Sequence, residues 1–178
     1  FEILQKFQIQ FPQIFKVVQN EANLGYVQNF EKAITLCTGD LIFLSDQDDI
    51  WFPNKIKNVE KYFSENQNIT VLCHNLNLSE SENSEKNYWK LRNFTPNKTN
   101  QQILEQVVLE GNIFPGMSMI ITKNAQQNYF PLKKMNHLII HDFELIIKAC
   151  KENSFGILNE ILSEYRLHDD QNIGFDLR

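Results

Sequence analysis

Apolar residues recur along the chain with two periods, and together these predict alternating helices and strands. Helical spacing covers residues 1–11, 27–37, 53–63, 101–110 and 142–151, and the third stretch has Pro53 in the first turn, a position that proline favours. Short apolar runs predict strands at residues 15–19, 41–44, 69–74, 117–122 and 155–162. Strands that alternate with helices form an α/β sheet with helices on both faces. We therefore predict a single α/β domain over residues 1–178, with a mostly parallel central sheet.

One long stretch departs from this pattern. Residues 77–100 lose their periodicity and are rich in Ser, Glu and Asn. Such a composition is typical of a surface loop. We predict a surface loop there, with Tyr88 and Trp89 as its aromatic residues.

The run from Leu41 to Trp51 joins a strand to a cluster of carboxylates. Four apolar residues are followed by Asp46, Asp48 and Asp49. Coulomb repulsion opposes such a cluster unless a positive charge lies within it. Mg²⁺ and Mn²⁺ take one or two carboxylates plus substrate phosphates, and open α/β sheets bind ligands at the carboxyl ends of parallel strands. The run therefore predicts a metal–diphosphate site.

Two simpler interpretations of the acidic run were weighed. A solvated acidic turn would not need the apolar strand before it or the sequence Ile-Trp-Phe-Pro after it. An EF-hand calcium loop requires a glycine at its sharp turn and a bidentate glutamate at its end, and the run has neither. The metal–diphosphate interpretation is therefore preferred.

The segment Ser45-Asp46-Gln47-Asp48-Asp49-Ile50-Trp51 resembles the DxD-type signature of family 2 glycosyltransferases, in the form typical of the rhamnosyltransferase-like branch. Four more segments are similar to family motifs, in the family's order: residues 23–30, 111–118, 141–145 and 165–172. The resemblance covers nearly all of the chain. It implies the GT-A fold and an inverting, metal-dependent glycosyltransferase. The donor would be a dTDP- or UDP-sugar, with rhamnose suggested by the branch, and the acceptor a cell-surface polysaccharide or lipopolysaccharide.

The resemblance also implies roles for residues on the donor side of the site. Asp48 and Asp49 would hold Mn²⁺ or Mg²⁺, with His168 as a third ligand and Asp46 nearer the ribose or the metal shell. Asn23, Asn29 and Arg166 would bind the donor. His168, Asn23, Asn29 and Arg166 also have ordinary structural explanations. His168 could be a surface residue, the two asparagines could cap local structure, and Arg166 could be a charge at a strand edge.

On the acceptor side, the resemblance implies that Asp142 is the general base. Gly116, Met117 and His141 would lie around the acceptor. Asp142 could instead be a helix cap, and Gly116 could belong to an ordinary Pro-Gly turn. The sequence Phe143-Glu144 stands where close relatives have paired tryptophans, so the identity of the acceptor stays open.

Composition narrows the class of protein. The formal net charge of −5 gives no basic surface for nucleic acid, and no apolar run reaches the ~20 residues of a membrane span. Cys37, Cys73 and Cys150 are odd in number and have apolar neighbours, which predicts reduced thiols in a cytoplasmic protein. The family's lipid-linked acceptors imply peripheral association with the inner face of the cell membrane, although no basic amphipathic helix supports this.

The chain begins at Phe1 and not with the strand, helix and strand that open this family. The resemblance implies that a βαβ-sized unit of roughly 30–50 residues is absent. Two alternatives therefore remain beside an active transferase. One is a catalytically dead or truncated nucleotide- or sugar-binding domain, and the other is a nucleotidyltransferase.

Overall fold

The computed structural model describes residues 1–79, 87–133 and 140–166. The helices within these ranges are α1 (Glu2–Gln10), α2 (Gly25–Leu36), α3 (Lys55–Glu65), α4 (Tyr88–Leu91), α5 (Asn100–Glu110), α6 (Lys123–Tyr129) and α7 (His141–Lys151). The strands are β1 (Leu41–Phe43), β2 (Ile50–Trp51), β3 (Val71–Leu78), β4 (Met119–Thr122) and β5 (Phe155–Tyr165). A short 3-10 turn, Gly116–Ser118, leads into β4. The predicted alternation of helices and strands is confirmed.

The strands form one sheet in the order β1-β4-β3-β5-β2. β3 and β5 pair in parallel, whereas the pairs β1–β4, β3–β4 and β2–β5 are antiparallel. Strands β1, β3 and β5 thus share one direction, and β4 runs against its two neighbours. The prediction of a mostly parallel sheet is therefore wrong for the strand pairs in the described residues. A strand buried on both faces is apolar whichever way it runs, so the sequence pattern carried no signal of direction.

Helices cover both faces of the sheet, as predicted. Alternate residues of the central strand β3 enter different apolar clusters, because successive side chains of a strand point to opposite faces. Val71 and Cys73 pack in the larger cluster with residues of α5 and α7. Leu72 packs on the other face with Val59 of α3. β4 contributes fully buried side chains to both clusters, Met119 and Ile121 to the larger one and Ile120 to the other.

The loop between β3 and α5 is less exposed than its composition predicts. Tyr88 and Trp89 are buried in α4, and Trp89 packs edge-on against Phe94 and Phe114. The aromatic residues therefore extend the core. The sequence did not indicate their burial, because the residues around them are polar. Residues 80–86 of the same stretch lie outside the described residues.

Two further local predictions need correction. Residues 15–19 form no strand and pair with none of the strands in the described residues. Helix α3 begins at Lys55, so Pro53 lies in the turn that precedes the helix. All three cysteines are free thiols, and Cys73 and Cys150 are buried.

Candidate functional site

The acidic loop, defined as residues 45–49, follows the end of β1. Hydrogen bonding to β4 holds the chain in place up to the start of this loop. The amide of Leu44 donates to the carbonyl of Met119, which extends the β1–β4 pairing to the start of the loop. Burial raises the pKa of Asp46, and the charge of Asp48 adds to the shift. Burial also raises the pKa of Asp49 to about 7, again with help from the neighbouring carboxylates. The clustering of charge predicted from the sequence is thus present.

A lysine supplies positive charge beside this loop. The first residue of α3, Lys55, is 1% exposed. Its Nζ donates to the carbonyl of Met117 and to Oγ of Ser163, both at 3.0 Å, and lies 4.1 Å from the centre of the Trp51 ring. Burial lowers the pKa of Lys55 to about 7, while the charge of Asp49 opposes this shift. Part of the acidic repulsion is therefore compensated by the protein itself.

Asp142 lies in the first turn of α7 and is buried. Its carboxylate accepts from the amide of Phe143 at 2.7 Å and interacts with the side chain of Asn112. Burial nevertheless raises its pKa to about 7, and the charge of Asp46 adds to this. The helix has Ile140 as its N-cap and no capping side chain, so Asp142 is not the cap. It is a buried carboxyl close to the acidic loop.

Gly116 marks the point where three segments of the site meet. A methyl group built on its Cα would lie 3.5 Å from Nε2 of His141, 3.8 Å from Oδ2 of Asp142 and 4.0 Å from Cδ1 of Leu44. The 3-10 turn, the start of α7 and the end of β1 therefore border one small space. The structure brings together Gly116, His141 and Asp142, as the sequence predicted.

His141 is 5% exposed, and neither ring nitrogen has a hydrogen-bond partner among the described residues. Its ring stacks on Phe30 of α2, with centroids 4.5 Å apart and planes inclined by 12°. Burial lowers the pKa of His141 to about 4, which keeps the ring neutral at physiological pH. This stacking holds the His141 ring in place. It also brings α2, which belongs to the segment implied to bind the donor, against α7, which carries Asp142.

Asn23 and Asn29 lie together in a surface groove at the start of α2. The groove has a volume of about 370 Å³ and is also lined by Asn20 and Gly25. Asn23 accepts from the amide of Gly25, whose φ of +70° suits glycine, and Asn20 donates to Asn29. Both predicted asparagines thus support the local turn. They also leave a polar groove beside the helix.

The last described residue, Arg166, reaches the acidic loop from the end of β5. Its Nε donates to the main-chain carbonyl of Asp48. Arg166, which the resemblance implies as a donor-binding residue, therefore lies against the acidic loop. His168 lies outside the described residues.

The donors of the acidic loop can be tested against a divalent cation. The described part of the chain holds no group of three His, Cys, Asp or Glu side chains arranged for a metal ion. Asp49 does present a buried Oδ2 that has no hydrogen-bond partner within that part. Mg²⁺ usually keeps several waters and needs only one or two carboxylates beside substrate phosphates. Asp48 and Asp49 therefore suit a cation whose remaining ligands are water and substrate phosphates and not further protein side chains.

Sequence reasoning missed three residues at this site: Lys55, Asn112 and Phe30. Lys55 follows the acidic run by six positions in the sequence, but nothing in a lone lysine after Pro-Asn predicts burial. Asn112 and Phe30 fell inside motifs that had been recognised, yet their contacts with Asp142 and His141 depend on packing between distant segments.

Comparison with known proteins identifies the family of the chain. A model of the family "Glycosyl transferase family 2" matches residues 2–127. An uncharacterized glycosyltransferase of Nostoc sp. is 22% identical over 174 residues, which are 96% of this chain and 52% of that protein. An uncharacterized protein of Mycobacterium bovis is 21% identical over 167 residues, 93% of this chain and 46% of its own length. The chain thus spans about half the length of these relatives.

Solved structures show the same fold. The crystal structure of S. aureus TarS residues 1–349 in complex with UDP-GlcNAc matches with a TM-score of 0.65 at 16% identity, covering 96% of this chain and 46% of that one. TarS 1–349 in a second crystal structure matches with a TM-score of 0.57 at 14% identity, over 91% of this chain and 48% of that one. The chain therefore belongs to glycosyl transferase family 2, and its fold is of the GT-A type. Among the described helices, none has the length and apolar character needed to cross a membrane.

Proposed function

We propose that this chain carries the catalytic part of an inverting glycosyltransferase that uses a nucleotide-diphosphate sugar. The observation that carries the proposal is the position of Asp142. Its buried carboxyl lies beside Gly116 and close to the acidic loop. A base placed there can reach the hydroxyl of an acceptor while the donor-binding residues hold the sugar that this hydroxyl attacks.

The chemistry follows from this arrangement. Asp142 takes the proton of the acceptor hydroxyl as the oxygen attacks the anomeric carbon of the donor sugar. The bond from that carbon to the diphosphate breaks on the opposite face, and the diphosphate leaves with the electron pair. In-line displacement inverts the anomeric configuration. A base with a pKa of about 7 is well matched to this proton transfer at physiological pH.

The remaining residues bind and shield the reactants. Asp48 and Asp49 would hold a divalent cation, and such a cation neutralises charge on a departing diphosphate when it is bound. Arg166 lies where it can contact the same diphosphate. The groove of Asn23 and Asn29 suits the polar nucleoside, and His141 and Gly116 border the acceptor.

Two observations bear on the donor. The complex of TarS with UDP-GlcNAc favours a UDP-sugar by analogy of fold, whereas the form of the acidic motif favours dTDP-rhamnose. A polysaccharide or lipopolysaccharide acceptor remains part of the proposal. Of the alternatives, a nucleotidyltransferase is disfavoured by membership of the family. A catalytically dead nucleotide- or sugar-binding domain would use the same donor side, and only the absence of turnover would distinguish it.

The test is calorimetric titration of the chain with UDP, dTDP and GDP, each with and without Mn²⁺. We expect one nucleotide to bind in a metal-dependent way, because its phosphates complete the shell of a cation held by two carboxylates. Asp48→Ala with Asp49→Ala should weaken this binding at least about tenfold, the usual loss when metal-site groups are removed. Exposed Asp40→Ala, just before β1, is the matched control and should change nothing.

Asp142→Asn then separates an enzyme from a dead domain. For a transferase, it should leave nucleotide binding intact and lower turnover of the bound sugar nucleotide by about 10²–10⁴-fold, the contribution of a general base. Binding without any turnover in the unaltered chain would establish a dead domain. Failure of the unaltered chain to bind any of the three nucleotides would refute the proposal for this chain.

A further inference from the structure

The buried Lys55 has no part in the proposed chemistry, and its surroundings are unusual. Lysine is almost never fully buried unless its charge is paired, yet Lys55 is 1% exposed at the first position of α3. The partners to which its ammonium donates are uncharged, namely the carbonyl of Met117 and the hydroxyl of Ser163. The charge of Asp49 acts on Lys55 without a hydrogen bond between the two side chains. Such a group is costly to bury, so its retention points to a role in the arrangement of the site.

The contacts of Lys55 connect three elements that the backbone does not join locally. Met117 is the central residue of the 3-10 turn, Ser163 lies on β5, and the ring of Trp51 on β2 packs against the ammonium. Ser163 and Trp51 are directly paired across the β2–β5 ladder. Lys55 therefore fastens the turn to this strand pair, which begins immediately after the acidic loop.

The position of the turn matters for the proposed reaction. Gly116 precedes Met117, and the space over Gly116 is bordered by His141 and Asp142. The turn is closed by a hydrogen bond of 2.9 Å from the amide of Ser118 to the carbonyl of Pro115. A shift of Met117 would therefore move Gly116 relative to the carboxyl of Asp142. A displacement of about 1 Å at a reacting centre can cost 10²-fold in rate.

We propose that Lys55 is a positioning residue that holds the turn Gly116–Ser118 in register with the acidic loop, so that acceptor and donor meet at Asp142. The inference rests on the proposed function for its consequence in catalysis. Its structural content, the fastening of the turn, stands on the contacts alone. The hydrogen bonds of Lys55 reach neither the acidic loop nor Asp142.

The first test uses Lys55→Met, which keeps the length of the side chain and removes its charge and hydrogen bonds. Lys57→Met, an exposed position on the same helix, is the control. The reaction followed is hydrolysis of UDP-GlcNAc with Mn²⁺, in which water takes the place of the acceptor and yields UDP and free sugar. We expect kcat to fall about 10- to 100-fold in Lys55→Met, with KM for UDP-GlcNAc within about threefold of the unaltered chain, because the hydrogen bonds of Lys55 go to Met117 and Ser163 and none to the acidic loop. Lys57→Met should match the unaltered chain.

The second test follows the turn directly by hydrogen exchange with mass spectrometry. In Lys55→Met, amide exchange should accelerate about tenfold or more in residues 113–119, and little in α5 or α7, since local opening is confined to the segment that lost its anchor. Uniform acceleration across the chain, or a rise of KM in step with the fall of kcat, would show general destabilisation and overturn the proposal. Unchanged kcat and unchanged exchange would overturn it as well.

Ser163→Ala protects the test against a Lys55→Met protein that does not fold. It removes one hydrogen bond and leaves the ammonium in place, so kcat should fall about three- to tenfold with KM preserved, and exchange of residues 113–119 should rise. In a folded Ser163→Ala protein, kcat and exchange equal to those of the unaltered chain would overturn the proposal. If the unaltered chain binds no nucleotide, the proposed function fails, and the exchange measurements alone decide on Lys55.

Discussion

At the scale of single residues, the site depends on charged groups that the fold holds in unfavourable surroundings. Asp142, Asp49 and Lys55 have pKa values moved toward neutrality, in each case mainly by burial. Ionisable groups shifted in this way cluster at functional sites, because catalysis needs groups that change protonation near the working pH. They also make the site a source of instability.

Asp142→Asn should therefore stabilise the protein at high pH. The pKa of Asp142 in the fold, about 7, lies above its unfolded value of 3.8. Between these values the folded state holds a proton that the unfolded state has lost, so stability falls as the pH rises, and the fall ends above pH 7. The gain on substitution should be about 4 kcal/mol at pH 8 and fall below about 1 kcal/mol near pH 4.

Urea unfolding of both proteins from pH 4 to pH 8 measures this difference. Asp40→Asn, an exposed carboxylate before β1, is the control and should show no such trend. A difference between Asp142→Asn and the unaltered chain that does not grow with pH would contradict the assignment of a buried, protonated carboxyl.

At the scale of elements, the arrangement depends on contacts between segments distant in sequence. α2 meets α7 through the stack of Phe30 on His141, and β3 pairs with β5, whose residues lie more than 80 positions further along the chain. Side chains pack closely against the backbone of β5 at Gly156. A Cβ atom there would lie 2.8 Å from Cγ2 of Ile69 and 2.9 Å from the hydroxyl of Tyr62.

Gly156→Ala should destabilise the protein by about 1–3 kcal/mol, the usual cost of overpacking. Ile69 is nearly buried, so it cannot move aside without disturbing its neighbours. Gly39→Ala is the matched control, because its Cβ would approach nothing closer than the carbonyl of Leu41 at 3.4 Å. Thermal unfolding of the two variants compares them, and equal melting temperatures would contradict close packing of α3 on β5.

At the scale of the whole molecule, apolar surface is unevenly distributed. The sheet is covered on both faces by well-buried side chains, whereas α1 contains no buried residue at all. Ile3, Ile9 and Ile14 are 69%, 80% and 76% exposed. Stability should therefore come from the sheet and its covering helices, with little contribution from residues 1–14.

Removal of residues 1–16 should change the free energy of unfolding by less than about 1 kcal/mol, as expected for exposed positions. It should also reduce self-association, because contiguous exposed apolar surface promotes it. Ile103→Ala, at a position 1% exposed in α5, should by contrast cost about 2–5 kcal/mol. Chemical unfolding and sedimentation measure both effects, and a shortened chain less stable than Ile103→Ala would refute this account.

Local patterns of the sequence predicted five of the seven described helices and four of the five described strands, because periodic burial is imposed by the geometry of each element. The residue types of the acidic run also indicated a metal–diphosphate site, and the resemblance to family motifs indicated Gly116, His141 and Asp142. Tertiary structure alone decided the direction of β4, the burial of Tyr88 and Trp89, and the contacts of Lys55 and Asn112. Those features depend on contacts between segments that are distant in the sequence. The apolar pattern of a buried strand does not show in which direction it will pair, and the sequence around Lys55 does not show which residues it will contact.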